Sequence, residues 1–571
     1  MACSWGQGLS RSLEGVILSA NLETQNSTKS RLLKALLLGC SIVALQSIPS
    51  SWTPKSVTEK NIDSYWQQSD LTEMDLQVLL QDENCLSSQI KFLACVNAIN
   101  TVADRVGLFL QENGKFRVLT GSDFDLRLTE KSGIEAWTDK FNAPEYSPGF
   151  RFLDLWTELK EKVMQDPGLL PAVAAGINGY LSIAEDPHSY IVPLAFYEDV
   201  LSQSDSNQFN LGFVARRTRS GALIRKVFSK SPASRSGLKK GDRVKRMNGL
   251  DVNRMQATTY SERIRGQSRN RLLLEIERFE KGKQVQKTLE IIKGDFEFSS
   301  VESRVVNLGR TLGHLTIHKF GKDTCNRARK HLVSLMEQSV EGILLDLRDN
   351  PGGQVDESAC VLNLFVEKDT LLFETRYLDP LKSGETYITE KDAIYRGPVA
   401  VLINAGSASA SEIVAGVIKD LGRGTLVGER SFGKGSFQDG NIWTTHQRVA
   451  IFRTKGFYYF PSGWTPQLVG LEPDIQAKTA MNPNDSETLR ERDLYYTPLR
   501  PRDLWSGPQT LSWLFQNKCI QNEASNNEIF QKGSDIEEDP QIQVASDWFK
   551  CELSARADFK NGINESADPG L

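Results

Sequence analysis

One stretch of the chain, Val399 to Gln438, constrains the fold more than any other. It opens with a short β-branched apolar run, Val399–Ile403, which predicts a buried strand. A turn of small residues, 404–411, follows. Apolar residues then recur at three- and four-residue spacing as far as Gly422, which predicts a helix. Thr425–Val427 predicts a second strand, so the pattern indicates an α/β fold.

The small-residue turn contains three serines at the start of the predicted helix: Ser407, Ser409 and Ser411. Backbone N–H groups at a helix start are unpaired and favour negative charge, so this place suits a nucleophile. A serine hydroxyl needs a base, and the stretch contains no histidine. Lys434, between two glycines, is the candidate, provided that burial lowers its pKa. Spacing alone is equally compatible with helix-capping serines and a solvated loop lysine.

The ordered motifs of this stretch resemble those of the C-terminal processing peptidases, also called tail-specific proteases. The motifs are SASASEI, an aspartate at 420, VGE, FGKG and a glutamine at 438. The resemblance implies that Ser409 is the nucleophile, Lys434 the general base and Gln438 the residue that orients the lysine. It covers about residues 175–478, and in some members an aspartate matching Asp420 is also counted as catalytic.

Helix and strand geometry constrains two of these assignments. Asp420 lies further along the predicted helix, roughly 16 Å from Ser409, so we interpret it as a structural residue near the helix end. In a straight strand the Cα atoms of Lys434 and Gln438 would be roughly 13 Å apart. Their contact therefore requires two converging long side chains or a bend at Gly435.

A second turn, Arg348–Gly353, follows the buried-type strand Gly342–Leu347. The resemblance implies that Gly353 supplies one N–H group of an oxyanion hole and Ala410 the other. Two N–H groups aimed at developing negative charge are what acyl transfer requires. A Pro-Gly-Gly turn is also compatible with simple chain reversal.

The resemblance implies an α/β protease core of the crotonase/ClpP-like type, with an inserted, β-rich PDZ domain and helical regions at both ends. The apolar spacing before residue 190 also favours helices. We divide the chain into a leader, 1–47, a helical N-terminal region, 48–204, the PDZ domain, 205–293, the protease core, 294–478, and a helical C-terminal extension, 479–571.

Residues 205–293 resemble a PDZ domain, and Leu211, Gly212 and Phe213 match its carboxylate-binding loop. The helix that would wall the groove is Thr259–Arg265. An extended peptide tail adds to such a sheet edge, and the loop N–H groups receive its carboxylate. The expected partners are therefore proteins or peptides with exposed C-termini. A PDZ-shaped spacer without a ligand is the alternative.

Charge and ligand counts argue against other partners. A formal net charge of −4 argues against nucleic acid as the main partner. His314 and His318 share one face of a predicted strand, but no carboxylate or third ligand is near them in sequence, so we expect no metal site. No cofactor is expected.

His188, in a DPHS element, is structural in the family. An adaptor protein or a second copy of the chain is a further candidate partner for the helical end regions.

The segment Lys29–Leu45 carries a basic start and an apolar run too short to span a bilayer comfortably, which fits a signal-peptide core. We therefore expect export to the periplasm or cell envelope, with Cys40 a candidate lipidated N-terminus; a buried helix of a cytoplasmic domain is the alternative. Export permits disulfides, and the natural local pairs are Cys85–Cys95 and Cys519–Cys551.

The sequence therefore predicts a serine endopeptidase that binds protein tails through its PDZ domain and cleaves with a Ser409/Lys434 dyad. Two other classes of protein share some of these motifs. A PDZ adaptor on an inactive core is disfavoured by the intact serine, lysine and glutamine motifs. A penicillin-recognising acyltransferase needs an SDN element besides its SxxK motif; an SxxK match at residues 236–239 lies inside the PDZ segment, and the SDN element is missing.

Overall fold

The structure is a computed structural model of the chain, and the residues it describes belong to one compact unit, Lys60–Leu571. The described residues are 62–111, 114–118, 150–164, 168–202, 211–218, 220–252, 271–280, 283–294, 296, 298–478, 490–494 and 539–565. Several sequence predictions lie outside these ranges: the leader with Cys40, the groove helix Thr259–Arg265, and Cys519.

The described residues form helices and strands in the following order. The helices are α1 (Ile62–Trp66), α2 (Glu73–Leu79), α3 (Asp82–Cys85), α4 (Gln89–Arg105), α5 (Phe152–Val163), α6 (Leu169–Ala184), α7 (Leu194–Ser202), α8 (Pro232–Arg235), α9 (Thr324–Glu337), α10 (Val355–Leu362), α11 (Ala410–Asp420) and α12 (Pro540–Glu565). The strands are β1 (Leu108–Leu110), β2 (Phe116–Val118), β3 (Tyr190–Pro193), β4 (Phe213–Thr218), β5 (Gly221–Val227), β6 (Arg243–Met247), β7 (Leu250–Asp251), β8 (Arg271–Glu280), β9 (Lys283–Ile292), β10 (Val301–Asn307), β11 (Thr311–Ile317), β12 (Gly342–Asp346), β13 (Leu371–Tyr377), β14 (Thr386–Ile388), β15 (Val399–Ile403), β16 (Thr425–Gly428), β17 (Ser436–Ile442), β18 (Val449–Tyr459) and β19 (Ile475–Gln476).

The central sheet has the strand order β10-β11-β12-β15-β16-β19, and all neighbours are parallel except β10 and β11. Its middle strands are apolar throughout because both faces are covered. Alternate residues of β12 show this: Ile343 and Leu345 pack with α9, α10 and α11, whereas Leu344 packs with α12. The sheet is therefore the middle layer of an α/β core, as expected.

The carboxyl ends of β12 and β15 position the site. Because the two strands are parallel and adjacent, with Leu345 opposite Val401, the turns that follow them lie at the same edge of the sheet. The turn after β12 contains Arg348–Gly353, and the turn after β15 leads through Ser409 into α11. The two turns singled out in the sequence are thus brought together.

A second, antiparallel sheet lies beside these turns in the order β14-β13-β18-β17, with β3 pairing to β18. Strand β17 carries Gln438, and β18 carries Tyr458. Strand β3 follows the DPHS element directly, so the pairing of β3 with β18 fixes that element near the same sheet.

The PDZ segment forms an antiparallel sheet in the order β4-β5-β6-β8-β9, with β7 paired to β6. Alternation along β8 turns Leu272, Leu274 and Ile276 into the domain core, as the period-two pattern predicts. Among the described strands, β4 pairs only with β5 and is therefore an edge of the sheet. It follows the predicted carboxylate loop without a gap.

The N-terminal region is mainly helical, and Cys85 and Cys95 form the expected disulfide. The apolar spacing of Gln89–Leu110 predicts a single helix, and this range is too long: α4 ends at Arg105 and β1 begins at Leu108. Gly107 between them has φ 73°, a left-handed conformation that stops a helix and that glycine adopts without strain.

The C-terminal extension packs on the protein's own core. Ile542, Trp548 and Phe549 of α12 are buried against the face of the central sheet opposite α11. The resemblance to the processing peptidases also implies a closing strand at Leu468–Ile475; its extent is wrong, because only Ile475–Gln476 is strand and the preceding residues form turns and loops. Among the described residues, no helix is both long and apolar enough to cross a membrane.

Candidate active site

Ser409 occupies a sharp turn between β15 and α11. Its φ of 54° and ψ of −119° are unusual for a residue with a side chain, and it is the N-cap of α11. The other two serines tie this turn to the neighbouring backbone at the end of β12: Ser407 Oγ donates to Leu347 O at 2.8 Å, and Ser411 Oγ donates to Asn350 O at 2.9 Å. The three serines therefore differ, and only Ser409 is partly exposed.

The side-chain amine of Lys434 donates hydrogen bonds to residues in the first part of the strand that follows it, β17. Its Nζ donates to Gln438 Oε1 at 2.7 Å, to Ser436 O at 3.0 Å and to Ser436 Oγ at 3.3 Å. The interpretation as a solvated loop lysine is therefore wrong. Within the described part of the chain no hydrogen bond joins Lys434 Nζ to Ser409 Oγ, so the amine is bound to its orienting residues rather than to the hydroxyl.

The surroundings of Lys434 favour its neutral form. Burial lowers the pKa of the amine, and the carboxylates of Glu491, Asp186 and Glu412 oppose this effect without cancelling it. A lowered pKa is the condition under which a lysine acts as a base near neutral pH.

Glu412 connects the two predicted catalytic residues. Its Oε2 accepts from Ser409 N at 3.0 Å and from Lys434 N at 2.8 Å, while Oε1 accepts from Gly433 N at 2.8 Å and from Ser431 Oγ. The side chain is completely buried. Burial raises the pKa of Glu412 to about 7, and the four hydrogen bonds oppose that rise.

Sequence reasoning missed this role of Glu412, although a signal was present. Ser409 and Glu412 have the spacing of a capping box, in which the glutamate reaches back to the N-cap N–H. Tyr458, which donates to Lys434 O at 2.9 Å and to Ser409 O at 3.3 Å, gave no comparable signal. Its partners are distant in sequence.

The two predicted oxyanion donors lie at adjoining backbone segments. A Cβ on Gly352 would lie 2.9 Å from Ala410 N, so the turn after β12 passes directly against the start of α11. Gly353 has φ 147°, and a Cβ there would lie 2.0 Å from Phe320 O. Within the described residues neither Gly353 N nor Ala410 N donates a hydrogen bond. Both are therefore available to an oxyanion.

Comparison with known proteins agrees with this geometry. Residues 311–477 match the model of peptidase family S41, and residues 200–277 match the PDZ domain. The chain is a serine-type peptidase of family S41 with a PDZ domain. Its relatives include a carboxy-terminal-processing protease of Bartonella bacilliformis, which is 28% identical over 57% of this chain and 74% of the relative.

Two further proteins are similar to this chain. The chloroplastic carboxyl-terminal-processing peptidase 3 of Arabidopsis thaliana is 27% identical over 66% of this chain and 75% of its own. Among solved structures, the photosystem II D1 C-terminal processing protease is 21% identical, with a TM-score of 0.43 over 66% of this chain and 98% of that one.

Asp420 of this S41 peptidase lies at the far end of α11 from Ser409, as helix geometry requires. Its Oδ2 accepts from Ser462 N at 2.7 Å. Burial raises its pKa, and the hydrogen bond to Ser462 opposes the rise. These contacts fit a structural role.

The PDZ domain directly contacts the turn Arg348–Gly353, here called the oxyanion turn. Asp349 Oδ1 lies 3.0 Å from Arg216 Nη2, and the same carboxylate lies 3.4 Å from Arg225 Nε. Burial alone would raise the pKa of Asp349, but the two arginines hold it below its usual value. Two strands of the PDZ sheet, β4 and β5, are thus joined to the turn that leads to Gly353.

The predicted carboxylate loop has the backbone it needs. Gly212 has φ 77°, and its O accepts from Phe228 N at 2.9 Å and from Ser231 Oγ at 3.0 Å. Leu211 and Phe213 are buried and anchor the loop. Within the described residues the N–H groups of Leu211 and Gly212 donate no hydrogen bond, so they can receive a carboxylate.

The histidines considered as metal ligands lie beside carboxylates. His314 Nε2 lies 3.0 Å from Asp346 Oδ2, and His318 Nε2 lies 3.1 Å from Glu302 Oε2. These carboxylates are not near the histidines in sequence; the pairing of β11 with β10 and β12 brings them in from elsewhere in the chain. Even so, across the described ranges no group of three His, Cys, Asp or Glu side chains is arranged to hold a metal ion.

Proposed function

We propose that this S41 peptidase cleaves peptide bonds with a Ser409/Lys434 dyad and selects substrates by their C-terminal tails. One observation carries the proposal: a partly buried, hydrogen-bonded lysine of lowered pKa and the N-cap serine both donate their backbone N–H groups to the carboxylate of Glu412. The C-terminal-processing names of the relatives support the tail as the recognised feature.

The reaction follows from the positions of these groups. Ser409 Oγ attacks the scissile carbonyl while neutral Lys434 Nζ takes its proton and then passes it to the leaving amine. A water molecule, deprotonated by the same amine, then attacks the acyl-enzyme ester; the Oγ–carbonyl bond breaks, and Lys434 returns the proton to Ser409 Oγ as the acid leaves. The N–H groups of Gly353 and Ala410 stabilise the oxyanion in both steps. Before transfer, Nζ exchanges one of its present acceptors for Ser409 Oγ, as catalytic hydrogen bonds often form only with substrate.

The dyad is tested by substitution and by active-site labelling. Ser409→Ala and Lys434→Ala should each abolish proteolysis of a denatured model protein, followed by mass spectrometry, and leave the fold intact. The double variant should be no worse than either single one, because the groups act as a unit. A fluorophosphonate probe should label Ser409 in the unaltered protein.

A matched lysine provides the control. Lys368 is exposed and pairs only weakly with Asp369 at 3.7 Å, so Lys368→Ala should retain full activity. An inactive PDZ adaptor is the second candidate function, and it predicts neither labelling nor cleavage. Substantial activity in Lys434→Ala would contradict the dyad.

Substrate selection is proposed to begin at the PDZ loop. An extended tail would add to the PDZ sheet alongside β4, and its carboxylate would accept from the N–H groups of Leu211 and Gly212. The ion pair of Arg216 with Asp349 supports a route from this domain to the oxyanion turn.

We also propose that the protein is exported. The disulfides Cys85–Cys95 and Cys325–Cys360 support an oxidising compartment, because disulfides rarely persist in the cytosol. Fractionation of the source cells, with the mass of the mature N-terminal peptide, tests export and a lipid on Cys40 together. Recovery of the full chain with free thiols from the cytosol would contradict it.

A further inference from the structure

A short segment of the C-terminal extension lies against the loop that carries the general base. This segment, 490–494, is outside the residues that match the S41 model and contains a single turn of 3-10 helix. Glu491 N donates to Phe432 O at 3.2 Å, and the Arg490 guanidinium donates to Ser431 O at 2.7 Å. The segment therefore holds the backbone immediately before Lys434.

Glu491 brings a buried carboxylate to this place. Its side chain is completely buried, and its two oxygens lie 2.9 and 3.0 Å from His188 Nε2. His188 comes from the DPHS element, so three separate parts of the chain meet here. A buried carboxylate is costly unless it is paired, and the imidazole supplies that partner.

We propose that Glu491 is a positioning residue for the peptidase reaction: it pins the Phe432–Lys434 loop and presents a negative charge to the Lys434 amine. The inference rests on the proposed function, because it acts through the base of that reaction. It extends the site beyond the family core to the C-terminal extension and the DPHS element.

The charges around the amine set the sign of the effect. The charges of Glu491 in segment 490–494, Asp186 in the loop before β3 and Glu412 in α11 all hold the pKa of Lys434 up against burial. Beside Glu491, segment 490–494 also carries Arg490, whose charged surroundings are Arg430, Arg492, Asp493 and Glu429. Removing the charge of Glu491 should thus ease deprotonation of Lys434.

The test is the pH profile of peptide hydrolysis by full-length Glu491→Gln. Glutamine keeps the shape and an acceptor for His188 but removes the charge. The rising limb of kcat/KM should move to lower pH by on the order of one unit. The maximal kcat and KM should change little, because the hydrogen bond from Glu491 N to Phe432 O is made by the backbone and survives the substitution. Glu491→Asp, which keeps the charge, should leave the limb in place.

A control in the same segment separates this effect from loosened packing. Asp493 Oδ2 accepts from Arg490 N at 2.8 Å, so Asp493→Asn perturbs the same turn without altering the charge at Lys434. It should leave the limb unmoved. If Glu491→Gln does not fold, Glu491→Ala takes its place with the same readout.

An unmoved limb in the folded Glu491 variant overturns the inference, even if its thermal stability falls. Equal movement of the limb in Asp493→Asn overturns it as well. Failure of the proposed function is distinguishable: there, the unaltered protein would not label at Ser409, or Lys434→Ala would remain active. If the probe labels Ser409, the unaltered enzyme cleaves and Lys434→Ala is inactive, a negative result counts against the role of Glu491 alone.

Discussion

Lys434 Nζ lies 2.7 Å from Gln438 Oε1, although in a straight strand the two Cα atoms would be roughly 13 Å apart. Strand β17 begins only at Ser436, and its pairing with β18 shifts register between Phe437 and Gln438. The sequence predicts either a bend at Gly435 or two converging side chains. The shift in strand register lies after Gly435, between Phe437 and Gln438. Two long side chains can then converge on the same side.

This contact predicts how Gln438→Ala changes the pH profile. Activity should rise with pH along a limb below the ordinary lysine pKa, because burial lowers the pKa of Lys434 and only the neutral amine accepts a proton. Gln438 Oε1 favours the charged ammonium, so its removal should move the limb to lower pH. The maximal rate should fall because the amine loses an orienting contact. Steady-state kcat/KM from acidic to alkaline pH measures both effects.

Gln476 offers a matched control, since its Nε2 donates to Glu472 Oε1 on the surface at 2.7 Å. Gln476→Ala should leave the profile unchanged. A flat profile of the unaltered enzyme, with chemistry rate-limiting, would contradict a lysine base.

A second prediction concerns the stability contributed by Glu412. Its pKa rises from 4.5 to about 7 on folding, so the folded state binds this proton more tightly than the unfolded state. The resulting stabilisation is complete below pH 4.5 and is lost as the pH rises through about 7, a change on the order of 3 kcal/mol. Glu412→Gln does not titrate, so its free energy of unfolding should increase relative to that of the unaltered protein across this window.

Chemical denaturation at one pH below and one above the window measures this difference. A constant difference between the two proteins would show that Glu412 keeps an ordinary pKa. Activity should fall even where stability is regained, because an amide nitrogen replaces one of two oxygens that accept from backbone N–H groups. Each buried N–H left without a partner costs about 1–3 kcal/mol.

The sequence predicted the parts of this site that depend on local pattern. The bounds of β15 and the elbow at Ser409 were predictable, because a buried apolar run and a small-residue turn are local signals. The contacts of Glu412 with Gly433 and Lys434, and of Glu491 with His188, join distant parts of the chain. No periodicity records such contacts, so only the folded chain reveals them.

A third prediction separates Asp420 from the catalytic residues. Asp420→Asn retains an oxygen that can accept from Ser462 N, and burial already disfavours the charged aspartate. The folded variant should therefore hydrolyse peptides at close to the normal rate, and any loss should appear in thermal stability. Comparing active-site-titrated kcat with the melting temperature distinguishes the two. A folded Asp420→Asn as inactive as Ser409→Ala would refute the structural assignment.

The last prediction concerns tail recognition. Amidating a substrate's C-terminus removes a charge-assisted hydrogen bond worth roughly 1.5–3 kcal/mol, so KM should rise about ten- to a hundredfold. Gly212→Ala should raise KM for the free-acid substrate to a similar level, because its Cβ would lie 2.0 Å from Ser231 Cβ and displace the loop. Gly237→Ala is the matched control. Gly237 has a similar positive φ, 80°, so alanine is under similar backbone strain there, but its Cβ would meet no atom within 4 Å. It should preserve the preference for a free carboxylate. Equal cleavage of amidated and free-acid substrates by the unaltered enzyme would exclude tail recognition by this loop.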